Sequence, residues 1–437
     1  MKLAVVVQRY GTQINGGAEL HARYVAEHLT RHAEVEVLTT CAKDYVSWAN
    51  EFEPGADRVG DLLVRRFPVK RQRDPAVFGR WSECVFAQRH SIEQELKWLD
   101  SEGPASPELI RYLRRHGADY DFCIFFSYRY YHAYYGCRMV APRAVLVPTA
   151  ERDPAVGLSI FRPIFRGVRA IMYNSFEERA MIQAVANNAS VQHTVVGVGL
   201  EIPSDSQPDR FRQKFDISKP FILYVGRLDE NKGCPELFRF FTSYASRVST
   251  TLQLVLIGRS LLPIPPHPRI RHLGFVSDED KFDAIAAALA LVMPSRFESL
   301  SMVALEAWAM GRPVLANGRC DVLQGQCLRS NAGLYYDNYE EFAETLHALE
   351  TNRPLHAALS HNGRQYFTRN YVWPVVERKY MDVLNQLSEA AAPRMESLPG
   401  WFARRRRNVP PARDVVDALP TGPALKTARG RRHLRRG

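Results

Sequence analysis

The chain has 437 residues, of which 46% are hydrophobic and 24% charged, the make-up of a soluble globular protein with room for two or three domains. No apolar run approaches the ~18 residues that span a bilayer. Its seven cysteines form no C-x-x-C pair, and no H-E-x-x-H or Cys/His cluster marks a zinc site, so reduced structural thiols are expected. The net charge of +11 sits mostly in a tail: twelve Lys and Arg against three Asp and Glu lie from Ala391 onward, leaving the body nearly neutral.

Leu3 to Val7 reads as a strand. The apolar core of this opening segment is too short for a secretory signal, so a cytoplasmic protein is expected. A glycine-containing loop follows, with Gly16 and Gly17, then an amphipathic helix through Leu20, Tyr24, Val25 and Leu29 and a strand Val35–Leu38. This βαβ opening lacks G-x-G-x-x-G, so a dinucleotide fingerprint is not supported. Residues 42–117 are irregular and charged, with a strand near Leu62–Phe67 and a helix near Ile92–Leu99. Phe122–Phe126 and Ala144–Val147 are strands. The aromatic segment Tyr128–Tyr135 between them reads first as a packed helix flank, with sugar stacking as the alternative. Asn174 or Ser175 caps a helix, and Thr194–Val196 closes this half.

Residues 197–220 carry Pro203, Ser204, Asp205, Ser206 and Pro208 and read as a linker. A second alternation follows, with strands Phe221–Val225, Leu252–Ile257, around Val292, and Pro313–Ala316. Its helices lie near Pro235–Tyr244, Asp280–Leu289, Ser301–Met310 and Tyr339–Leu349. Strand–helix alternation in both halves predicts two doubly wound parallel sheets with a site between them. A last helix runs over about Pro374–Leu387. Beyond it the Pro-, Arg- and Gly-rich tail has too little apolar surface to fold alone. Trp401-Phe402 beside Arg404–Arg407 turns that tail toward anionic membrane lipid rather than nucleic acid.

Two stretches carry the chemistry. In the first, the strand ending at Met293 leads through Pro294–Leu300 into a helix holding Glu306, with Glu298 on the turn and seven residues between the two glutamates. A helix N-terminus presents unpaired amides to phosphate. Glu306, about 7–8 Å along the helix axis at 1.5 Å per residue, can accept hydrogen bonds from a ribose diol while Glu298 faces the far end of the same ligand. A nucleotide-sugar has that layout. Alone, such a glutamate pair is more often a surface feature. In the second stretch, the strand Phe221–Val225 ends in Gly226 and presents Arg227 and, five residues on, Lys232, two cations suited to a diphosphate.

Together with Gly274-Phe275-Val276 and Gly311-Arg312-Pro313-Val314, these motifs resemble retaining glycosyltransferases of family 4, and Asn15–Glu19 fits that family's first loop. The resemblance covers residues 1–388, is stronger in the second half, and omits the tail. It implies an α/β architecture of GT-B type: two doubly wound Rossmann-like domains facing an inter-domain cleft, with a C-terminal crossover helix. The expected boundaries are 1–200 for the acceptor-side domain, 201–370 for the donor domain, 371–388 for the crossover helix and 389–437 for the basic, disordered tail. It also implies roles. Arg227 and Lys232 bind the donor diphosphate with the amides of Ser299, Leu300 and Ser301, and Glu306 holds the ribose. Phe275 lies near the base through its backbone, and Gly16 and Gly17 leave room for phosphate or acceptor. Glu298, Glu151 and Asp153 form the catalytic group. Two cations stand in for a metal, so neither metal nor cofactor is expected. The acidic triplets Asp119–Asp121 and Asp278–Asp280 are read as structural.

The expected partners are a nucleotide-sugar donor, a glycan, lipid-linked or small-molecule acceptor, and the anionic inner face of the membrane through the tail, with no specific nucleic acid. One position departs from the family. Many relatives have histidine where Glu151 aligns, and an ionised Glu151 accepts but cannot donate hydrogen bonds. That leaves open another donor sugar, a shifted role for Asp153, or weak activity. A sugar-nucleotide epimerase of similar fold and a non-catalytic sugar-nucleotide-binding protein are the rivals.

Overall fold

The computed structural model describes residues 1–14, 16–390 and 412–417. The first lobe is an eight-stranded sheet of β1 (Lys2–Val6), β2 (Glu34–Thr40), β3 (Gly55–Val59), β4 (Leu62–Phe67), β5 (Phe122–Phe126), β6 (Ala144–Val147), β7 (Ala170–Tyr173) and β8 (Gln192–Val195). Its order is β3-β4-β2-β1-β5-β6-β7-β8, parallel throughout except for the antiparallel edge strand β3. The second lobe holds β9 (Phe221–Val225), β10 (Gln253–Ile257), β11 (Ile270–Gly274), β12 (Ala290–Met293), β13 (Val314–Asn317) and β14 (Gly333–Tyr336), all parallel in the order β11-β10-β9-β12-β13-β14. The central strands are uninterrupted apolar runs because helices cover both faces. Leu3 to Val7, Phe221 to Leu223 and Leu254 to Leu256 are fully buried.

In each sheet the strand order reverses beside the first strand, between β1 and β5 and between β9 and β12. Ligands of open α/β sheets bind at such reversals, outside the carboxyl ends of the strands. The segments after β9 and β12 are the two that carry Arg227–Lys232 and Glu298.

The helix Trp373–Glu389 returns to the first lobe. Its Trp373, Val376, Tyr380, Val383, Leu384 and Leu387 are buried with Leu3, Val5 and Val25, whereas Tyr371 just before it packs with the second-lobe core. Glu377 fixes the crossover to the helix Gly17–Leu29, accepting from His28 at 2.8 Å, Arg31 at 2.9 Å and His32 at 2.8 Å. The expected two-sheet architecture with a crossover helix is therefore the one observed.

Several elements differ from the sequence reading. Residues 42–117 also contain β3 and the helices Pro75–Ala87 and Pro107–His116. β3 is an exposed edge with no apolar alternation to reveal it. Within the expected linker lies the helix Pro208–Lys214, whose Phe211 is fully buried in the second-lobe core. Tyr128, Tyr130 and Tyr134 are buried, so this aromatic segment packs inside the lobe. Residues 394–437 are a separate unit, where the helix Ala412–Asp417 is described and Arg413 pairs with Asp417 at 3.8 Å. That spacing supports a short helix where none was expected. The rest of the tail, including Trp401–Arg407, for which contact with anionic lipid is expected, lies outside the described residues. Among the described residues no helix is long and apolar enough to cross a membrane.

Candidate active site

The loop after β9 is built to deliver Lys232. Asp229 accepts from the Lys232 amide at 2.8 Å and pairs with the Arg227 guanidinium, which closes the turn. Gly233 then starts the helix Cys234–Arg247 with φ +73°, and a Cβ there would sit 2.2 Å from the carbonyl oxygen of Pro294. Only glycine lets the two loops approach so closely. As a result Lys232 Nζ lies 2.8 Å from Glu298 Oε1, with the glutamate side chain 11% exposed. Burial works against the Lys232 charge, but Glu298 and Glu151 outweigh it and hold the ammonium above the ordinary lysine range.

The turn bearing Glu298 is held from behind. Asn317 donates to the Pro294 carbonyl at 3.0 Å, and Glu236 takes both Arg296, at 3.1 Å, and Arg319. The following helix spans Met302–Ala309, capped by Ser301, whose hydroxyl accepts from the Ala304 amide at 3.3 Å. Ser299 and Leu300 belong to the turn, Leu300 is buried against the core, and the helical amides begin at Met302. Glu306 lies inside the helix and pairs with Lys281 at 2.9 Å. Burial raises its pKa and Lys281 opposes that rise. Phe275 follows β11 with an 80% exposed side chain.

The first lobe supplies the facing wall. Gly16 caps the helix Gly17–Leu29, and a Cβ on it would meet the Glu19 carboxylate at 2.0 Å. Glu19 is itself held by Arg9 at 2.6 Å. A Cβ on Gly17 would lie 4.0 Å from the Met302 side chain across the cleft, so this loop abuts the start of the Glu306 helix. Asn15 of the same loop lies outside the described residues.

After β6, Thr149 adopts φ +49° and its hydroxyl is 2.9 Å from that of Ser127, at φ +66° after β5. Such strained non-glycine conformations at two adjacent strand ends are characteristic of functional loops. The buried Glu178 carboxylate accepts from the amides of Ala150 and Asn174, each at 2.5 Å, and so fixes the residue before Glu151. Burial pushes the Glu151 carboxyl up to about 7; Glu298 and Asp153 add to the rise, while Lys232 and Arg129 oppose it. Glu151 thus faces the Lys232–Glu298 pair from the opposite lobe. Asp153 does not. It is tied to Arg129 at 2.6 Å and caps the Val156 amide at 3.3 Å, and Arg129 in turn pairs with the buried Glu102 at 3.1 Å. Asp153 therefore positions the loop.

Arg152 closes the rim against Asp321 of the second lobe at 2.5 Å. A small cleft beside it is lined by Ala150, Glu178, Arg296, Phe297 and Glu298 from both lobes. Glu178, Lys281, Glu236 and the Arg152–Asp321 pair were not identified from sequence. Glu178 alone carried a signal, three residues after the cap Ser175, as a first-turn acid.

Residues 205–366, within the second lobe and the segments flanking it, match the family model described as "Glycosyl transferases group 1". Two curated relatives match more narrowly. Mannosylfructose-phosphate synthase of Agrobacterium fabrum is 30% identical over 128 residues, 26% of this chain and 28% of its own length. Alpha-D-kanosaminyltransferase of Streptomyces kanamyceticus is 28% identical over 126 residues, 26% of this chain and 32% of its own length. The chain therefore aligns with about a third or less of the length of these relatives. Among solved structures, sucrose-phosphate synthase from Thermosynechococcus elongatus superposes with a TM-score of 0.63 at 16% identity, over 89% of this chain and 100% of that one. HepE of Anabaena in complex with UDP gives 0.63 at 15% identity, over 88% and 100% of the two chains. The fold is GT-B.

Proposed function

We propose that the protein is a glycosyltransferase that moves a sugar from a nucleotide-sugar donor to a glycan, lipid-linked or small-molecule acceptor, with retention of anomeric configuration. One observation carries this reading: Lys232 lies 2.8 Å from Glu298 at the β9/β12 reversal, with Glu151 facing the pair from the other lobe. The group 1 match of the second lobe and the UDP-bound GT-B neighbour support it.

Arg227 and Lys232 receive the donor diphosphate, with the helix that starts at Met302 adding its partial positive charge. The Arg227 side chain is 53% exposed and can reorient toward phosphate. As Lys232 exchanges Glu298 for phosphate oxygens, Glu298 becomes free to accept hydrogen bonds from the sugar. Glu306 receives the ribose, and the exposed turn at Phe275 lies beside the base. Gly16 and Gly17 leave space for phosphate or acceptor. The sugar–phosphate bond breaks, the acceptor oxygen bonds to the anomeric carbon on the same face, and the departing phosphate takes the acceptor's proton. Cations aimed at the leaving group stabilise the charge where it develops.

The glutamate in place of the family's histidine fits this scheme. With its carboxyl near 7, Glu151 is partly protonated at neutral pH and can donate a hydrogen bond to a sugar hydroxyl. The two cations take the part a metal would play, so the proposal includes no metal or cofactor. It places the protein in the cytoplasm, with the basic residues after Ala391 reaching anionic lipid. Deleting residues 391–437 should spare soluble transfer and weaken vesicle binding.

The test is product analysis by NMR over a panel of nucleotide-sugars, with and without saccharide and lipid acceptors. Acceptor-dependent release of nucleoside diphosphate with a retained anomer supports the reading. An isomerised nucleotide-sugar formed without acceptor would replace it with an epimerase.

A further inference from the structure

Lys281 is the fourth residue of the helix Asp278–Ala287. Its ammonium lies 2.9 Å from Glu306 Oε1 and 3.3 Å from Asp278. The two partners are unequal: the Asp278 side chain is 91% exposed, whereas those of Lys281 and Glu306 are 20% and 12% exposed. Lys281 and Glu306 thus form a largely buried ion pair between two helices of the second lobe. A buried pair of this kind contributes little net stability, because desolvation offsets the attraction. An apolar pair would join the helices at least as well, so the pair points to a ligand.

Among the described residues, no hydrogen bond engages the second carboxylate oxygen of Glu306. Tyr24 reaches the same place from the first lobe. It is partly buried against the second-lobe core, and its phenol feels Lys281, Glu306 and Asp278. The pair therefore lies at the cleft. Its facing titratable groups are Asp278 on the same helix and Tyr24 across the cleft.

We infer that Lys281 is a positioning residue for the donor's ribose, its ammonium orienting the Glu306 carboxylate toward the diol so that the site selects ribonucleoside over dideoxyribonucleoside diphosphates. This rests on the reading of Glu306 given above. A diol donates two hydrogen bonds to an ionised carboxylate, and a protonated carboxyl accepts them less well. Burial favours the protonated form of Glu306, and Lys281 opposes it. Without Lys281, ribose recognition should fail as pH falls.

The test measures, by calorimetry, the affinity ratio of UDP, GDP and ADP to their 2′,3′-dideoxy counterparts between pH 6 and 9. The ratio cancels the titration of the phosphates. Wild type should keep a ratio independent of pH. Lys281→Met should lower it by up to about tenfold, the scale of one charged hydrogen bond, and more at the acid end of the range than at the alkaline end. Lys281→Arg should restore the ratio and its flat profile. In a Glu306→Gln background, Lys281→Met should change the ratio no further. If Lys281→Met keeps the wild-type ratio at every pH, the inference is overturned while the donor site stands. If the wild type binds none of the nucleotides, the donor-site reading falls and takes the inference with it.

Discussion

Replacing Glu151 by glutamine removes a titrating group from the cleft while keeping its shape and a hydrogen-bond donor. Burial, the first cause, with help from Glu298 and Asp153, lifts this carboxyl from 4.5 to about 7. Each pKa unit corresponds to about 1.4 kcal/mol, so the strain of ionising Glu151 in the fold approaches roughly 3 kcal/mol, less whatever solvent reaching the cleft screens. The sign follows from the direction. The folded state holds this proton more tightly than the unfolded chain does, so wild-type stability from this group is fully present below pH 4.5 and is lost as pH rises through about 7. Glutamine does not titrate. Denaturant unfolding should therefore show Glu151→Gln close to wild type at pH 4.5 and more stable by about 2–3 kcal/mol at pH 8. Transfer should follow the same group. Wild-type activity should fall as Glu151 ionises above about pH 7, and the glutamine variant should hold its rate there. A stability gain equal at both pH values, or none at pH 8, would refute the electrostatic account of Glu151.

Other expectations follow from the same geometry. Gly233→Ala places a Cβ 2.2 Å from the Pro294 carbonyl at φ +73°, so it should cost about 2–4 kcal/mol in unfolding experiments and weaken nucleotide binding as Lys232 and Glu298 separate. Glu178→Ala leaves the buried amides of Ala150 and Asn174 without acceptors and should cost about 2–5 kcal/mol; Glu178→Gln, which retains one acceptor oxygen, should cost less. A chelator should leave transfer rates unchanged if Arg227 and Lys232 carry the diphosphate, as initial-rate assays with and without it will show.

The fold was legible because strands covered on both faces are continuous apolar runs. Phe221–Val225 and Phe122–Phe126 could be delimited to the residue. β3 and the helix Pro208–Lys214 escaped because one is an exposed edge and the other a short helix in a proline-rich stretch resembling a linker. At the site, glycine and charge spacing exposed Arg227, Lys232, Glu298 and Glu306. What spacing does not carry is the partner of each charge. Lys281 follows the three acids Asp278–Asp280, and only the fold brings its ammonium to Glu306. Asp153 lies two residues beyond Glu151, yet the turn between them sends it to Arg129. Local sequence also could not show that burial pushes the Glu151 carboxyl up to about 7.

The most direct test of the donor site is calorimetric titration of nucleoside diphosphates into the wild type and Lys232→Ala. Loss of one charge-assisted contact to phosphate should weaken binding by about 10- to 100-fold, while Glu306 and the turn at Phe275 preserve the choice of ribose and base. Saturable binding of one diphosphate, weakened to that extent by Lys232→Ala, is the predicted result. Binding of equal strength in both proteins would contradict it.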